Sequence, residues 1–145
     1  MPNAMSRMDS SLQGNILKFF VPGLPIGKTY GFSKGGHQYM RAHVKRWENT
    51  VRLAALAAAG PAFKPHEGFV RLEMEFKFPI PASRKKILPG SLHGQDPDTS
   101  NLVKSCEDAI KRLLFIDDNR AMLGNCAKYW VSAGNEGVNI TVEFL

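Results

Sequence analysis

Cysteine is nearly missing from this chain: Cys106 and Cys126 are the only two in 145 residues. They form no CxxC pair and have no histidine companions at metal spacing. That argues against a zinc site and a disulfide framework and leaves buried free thiols as the expectation. Long apolar runs are missing too. No stretch approaches the roughly 20 residues that cross a bilayer, and the N-terminus lacks the basic-then-apolar order of a secretory signal, so no membrane partner and a cytoplasmic location are expected. There is no internal repeat and no low-complexity segment. Acidic residues are in deficit, 13 Asp and Glu against 19 Lys and Arg, for a formal charge of +6. A field of that sign suits a phosphate backbone, because neutralising phosphates releases condensed counterions.

What is present is 43% hydrophobic residues, enough to build the core of one ordinary domain. Residues 1–13 are polar and aperiodic and read as a flexible N-terminal tail, followed by a single domain over residues 14–145. Residues 15–21 (NILKFFV) have the content of a strand, closed by Pro22, Gly23 and Pro25. Residues 27–36 carry four glycines and read as a loop. Apolar residues at helical spacing predict a helix over 40–59, ended by Gly60-Pro61. Residues 69–78 alternate cleanly, with Val70, Leu72, Met74, Phe76 and Phe78 on one side and Arg71, Glu73, Glu75 and Lys77 on the other, which predicts a half-buried strand. A long polar loop fills 79–98, and a second helix runs from about 99 to 114. Strands over 121–133 and 138–145 are joined by Gly134-Asn135-Glu136-Gly137, a hairpin signal. The order βαβαββ predicts an α/β (α+β) fold, a small mixed sheet with two helices packed on one face.

Chemistry concentrates around the second helix. Asp96, Asp98, Asn101, Lys104, Glu107 and Asp108 gather there, with Asp117-Asp118 shortly after. Clustered carboxylates repel one another and resist ionisation unless a hard divalent cation binds them, so this pattern suggests a Mg²⁺ site facing a polyanion. On a wheel at ~100° per residue, Leu102, Val103, Cys106, Ala109, Ile110, Leu113 and Leu114 form the apolar stripe. Asn101, Lys104 and Asp108 fall opposite it. Each member also has a plain structural reading: Asp98 as an N-cap, Lys104–Asp108 as an i,i+4 pair, Asp117-Asp118-Asn119 as a turn. Together they suit phosphodiester hydrolysis, in which a metal activates water and a lysine offsets charge on the phosphorus oxygens. Pro22 to Thr29 imitates a nucleotide-binding P-loop, but the first glycine is Pro22 and no helix follows Thr29, so no nucleotide cofactor is expected.

With these residues in view, the sequence resembles the RusA family of Holliday junction resolvases, whose signature is Asp-x-Asp-Asn-Leu-x-Lys, an Asp four residues later and an Asp-Asp pair beyond the helix. Asp98-Thr99-Ser100-Asn101-Leu102-Val103-Lys104, Asp108 and Asp117-Asp118 fill those places, and the resemblance spans about residues 15–145. It implies a Mg²⁺-dependent endodeoxyribonuclease, Mn²⁺ substituting, that resolves four-way junctions and other branched DNA as a homodimer in recombination and repair, bacterial or phage-encoded. It implies Asp98, Lys104 and Asp118 as catalytic residues, Asp98, Asp118 and Asp117 as metal ligands, and Ser100, Asn101, Asp108 and Asp117 in support. Ser100 stands where the family most often has a second Asp, and a hydroxyl carries no charge. The alternative is a branched-DNA-binding protein with a weakened metal site. Lys28, Lys34, Arg41, Lys45, Arg46, Arg84, Lys85 and Lys86 are the candidate DNA contacts.

Overall fold

Alternation of apolar and charged residues over 70–78 demands a strand with one dry side, and the sheet assembles around that demand. The computed structural model describes residues 11–145. Its elements run β1 (Ser11–Gln13), β2 (Ile16–Pro22), β3 (Tyr30–Phe32), β4 (Gln38–Met40), α1 (Ala42–Ala59), β5 (Val70–Pro79), α2 (Thr99–Ile110), a 3-10 turn (Asp118–Arg120), β6 (Ala121–Val131) and β7 (Gly137–Phe144). The fold is mixed α+β, with a five-stranded sheet in the order β1-β2-β7-β5-β6 and a separate β3-β4 ribbon.

Register carries the dry side across the sheet. Leu72 pairs with Val142, Met74 with Ile140 and Phe76 with Val138, and these pair onward with Leu17, Phe19 and Val21. Trp47, Val51 and Ala55 of α1 and Leu102, Val103, Cys106, Ala109 and Ile110 of α2 join the same core cluster. Full burial of side chains such as Phe19, Leu72 and Ile140 contributes roughly 1.5–3 kcal/mol each. Among the described residues, no helix is long and apolar enough to cross a membrane.

Four expectations are corrected. Residues 11–13, assigned to the tail, form β1 and pair with β2, while residues 1–10 lie outside the described residues. The glycine-bearing stretch 27–36 is not all loop, for it contains β3 and leads into its partner β4. The second helix ends at Ile110 rather than 114, because Arg112 takes a left-handed φ of 68° and its N–H donates to the Phe115 carbonyl. Leu114 still reaches the core, but from a turn. Finally, β6 and β7 do not pair as a hairpin: β5 lies between them, parallel to β6 and antiparallel to β7. Residues 132–136 therefore bridge two strands that are not neighbours.

Candidate active site

Helix α2 positions the chemistry because its apolar stripe locks its rotation. The segment before β3 also holds it from the side. Ser105 Oγ donates to the Ile26 carbonyl at 2.7 Å, and the Lys28 N–H donates to the Asn101 carbonyl at 2.9 Å. Gly27 permits that approach, since a Cβ there would stand 3.2 Å from the Asn101 Cβ. Two clefts flank the helix. The first, about 510 Å³, is lined by Leu24, Pro25, Ile26, Gly27, Thr29, His43, Phe78, Asp96, Pro97, Asp98 and Asn101. The second, about 420 Å³, lies between α2 and β6 and is lined by Thr99, Ser100, Val103, Lys104, Glu107, Leu123, Gly124 and Cys126.

The sequence motif is thus divided between two sides of one helix. Asp98 occupies the N-cap position with extended backbone, yet its side chain makes no capping hydrogen bond, contrary to the plain structural reading. Its exposed carboxylate has no ion-pair partner among the described residues. Asn101 shares the first cleft with it, whereas Ser100 and Lys104 line the second. Lys104 Nζ lies 3.2 Å from Asp108 Oδ1, and this hydrogen bond holds its pKa above the ordinary 10.5, so the ammonium keeps its charge. Asp118 pairs with Lys111 at 3.1 Å, which lowers the Asp118 pKa, and its field also reaches Lys104 and Glu107. Asp117 is engaged as a turn acceptor, taking the Asn119 N–H at 2.9 Å.

Glu107 and Lys111 were not singled out as site residues by the sequence reading. Glu107 is half-buried, and burial first, with Asp118 and Asp108 adding, raises its pKa against the opposing pull of Lys104 and Lys111. Glu107 stands seven positions after Ser100 and three after Lys104, so extending the helical wheel by one turn places it in the same groove.

Lys28 does not offer a free ammonium to a phosphate. It is buried, 2.7 Å from Glu48 Oε2 and 2.9 Å from Asp108 Oδ2. Burial opposes its charge, and the two carboxylates overcome that, leaving its pKa raised. The signal for Glu48 was available, as it is the sole acidic residue of α1 and falls on the buried stripe beside Trp47. Lys34, Arg41, Lys45, Arg46, Arg84, Lys85 and Lys86 are all exposed. Cys106 and Cys126 are free, and burial pushes both thiols up, away from thiolate chemistry.

Hard oxygen donors fit Mg²⁺, and Asp98, Asp118 and the Ser100 hydroxyl are among the donors around α2. Among the described residues, however, no three His, Cys, Asp or Glu side chains are gathered closely enough to hold a metal ion. Asp98 stands at the N-cap of α2, and Asp118 pairs with Lys111, the residue just after the helix's last turn.

The family model described as Endodeoxyribonuclease RusA matches residues 22–143 of the chain. No curated protein matches it significantly.

Proposed function

Because the chain belongs to the RusA endodeoxyribonuclease family, we propose that it is an endonuclease that hydrolyses phosphodiesters of branched DNA, four-way junctions foremost, with Mg²⁺ as cofactor. The observation that carries this reading is the α2–β6 groove, lined by Lys104, whose charge Asp108 favours, and by Glu107, within the field of Asp118, with an uncapped Asp98 at the start of the same helix. Asp98 and Asp118 would hold the ion, and Mg²⁺ would supply Lewis acidity and a more acidic water.

The chain's own residues do the rest. Lys104 neutralises charge that builds on the phosphoryl oxygens, with Asp108 fixing its position. Glu107 binds a proton more readily than an ordinary carboxylate and sits beside Lys104, where it can exchange one with the reacting oxygens. Exposed cations from two parts of the chain, Lys34, Arg41 and Lys45 in one and Arg84, Lys85 and Lys86 in the other, hold the arms. Two copies acting together would nick opposed strands.

A Mg²⁺ titration on a synthetic four-way junction tests this. The reading expects nicked product that grows with Mg²⁺ on the junction and not on the matching linear duplex. Tight junction binding with no product at any Mg²⁺ or Mn²⁺ concentration would favour the second reading, a non-catalytic junction binder, for which Ser100 and the Asp118–Lys111 ion pair are the specific observations.

A further inference from the structure

The β3-β4 ribbon stands outside the five-stranded sheet and contributes no residue to the core cluster. Two isolated strands of three residues are marginal in water, so this ribbon needs another reason to hold its shape. Two devices supply it. At its base, the buried Lys28 reaches Met40 Sδ at 3.9 Å and lies 5.8 Å from the Tyr30 ring centroid, while it pairs with Glu48 of α1 and Asp108 of α2. Further out, the Tyr39 ring lies across Gly31, where any Cβ would overlap it.

The ribbon so held presents two aromatic side chains to solvent. Phe32 is 68% exposed and Tyr39 50% exposed. Register places them on opposite faces: Tyr39 pairs with Gly31 and shares its face, while Phe32 pairs with Gln38 on the other. Cations surround them, with Lys34 in the tip and Arg41 at the foot, both exposed. Thr29 before β3 and His43 after β4 line the cleft that contains Asp98, so the ribbon adjoins the candidate active site.

A rigid blade with one flat ring on each face, basic tip and foot, and a root beside the reacting carboxylate matches one kind of occupant. We propose that the β3-β4 ribbon is a wedge that enters a DNA branch and stacks unpaired bases on Phe32 and Tyr39. This rests on the DNA reading above and adds the surface that recognises unpaired bases. Stacking of this kind is tolerant of sequence, because every base offers a π-face. Lys28 then acts as a positioning residue that ties the wedge to the helix bearing Lys104.

The test uses 2-aminopurine, a fluorescent base quenched by stacking, placed at the branch point of a junction and, separately, in a single-stranded oligonucleotide. The full chain should quench both. Phe32→Leu and Tyr39→Leu, which keep apolar bulk without a ring, should lose quenching and weaken binding to both probes by about tenfold, leaving linear-duplex affinity unchanged. Phe32→Trp should restore the wild-type signal and so exclude misfolding. Quenching by the Leu variants equal to wild type, or equal losses on linear duplex, would overturn the wedge. If no Mg²⁺ concentration yields nicking but ring-dependent quenching of the single strand persists, the endonuclease reading fails and the wedge stands.

Discussion

At the scale of single residues, one hydroxyl and one buried ammonium separate what residue identity shows from what it hides. Ser100 was visible as a departure from the family signature, and it lines the α2–β6 groove beside Lys104. Ser100→Asp returns a hard, charged donor to that groove. The Mg²⁺ concentration for half-maximal junction nicking should then fall by about tenfold, since carboxylate count tunes divalent affinity; an unchanged titration would remove position 100 from the cation's surroundings. Lys28 was read as a phosphate contact because a glycine-flanked lysine looks exposed in a sequence. Burial between Glu48 and Asp108 is a property of the fold, and it reverses that reading. Removing one partner of a buried pair strands the other's charge, so Lys28→Met should lower unfolding free energy by about 3 kcal/mol in urea denaturation. If stability were unchanged and the salt dependence of duplex binding became shallower instead, Lys28 would be a phosphate contact after all.

At the scale of elements, both helices and most of the strands were legible because burial imposes its period on the sequence, as in the strict alternation of β5. Partnership was not. A Gly-Asn-Glu-Gly turn signals reversal of direction, which does occur between β6 and β7, but it does not exclude a third strand from the gap. Here α2 sets β6 parallel to β5, and β7 takes the other edge. The polar stretch 79–98 also concealed its order. The Trp130 N–H donates to the Ser91 carbonyl, the His93 N–H donates to the Lys128 carbonyl, and the His93 ring is buried 4.5 Å from Phe78 and 4.1 Å from Trp130. This loop carries Asp96 and Asp98 to the first cleft. Burial first, then the charges of Lys128 and Arg84, holds the His93 pKa below the ordinary 6.5. The folded ring therefore binds a proton less readily than the unfolded one. Stability present above about pH 6.5 is lost as pH falls through that value toward the folded pKa. Thermal melts should show this slope in the wild type and a flatter one in His93→Phe; identical slopes would mean that His93 stays accessible to protons in the fold.

At the scale of the whole molecule, the charge of +6 was readable from composition, and exposure of Lys34, Arg41, Lys45, Arg46, Arg84, Lys85 and Lys86 distributes it over separate segments. Replacing Lys85 and Lys86 with Ala should make the slope of log K for DNA against log salt shallower by about 2, with no change in Mg²⁺ requirement. An unchanged slope would remove this pair from the interface. The candidate site was legible as a set of residues but not as an arrangement, because the family motif lists neighbours in sequence while α2 distributes them to two sides. Asp118 is the residue on which those two descriptions meet: it comes from outside the helix, and its field acts on Lys104 and Glu107. The most direct measurement is single-turnover nicking of a four-way junction in Mg²⁺ by Asp118→Asn, alongside its affinity for the same junction. Loss of nicking with binding retained is the result expected if the carboxylates around α2 act on the phosphodiester. Nicking at the wild-type rate would contradict that account.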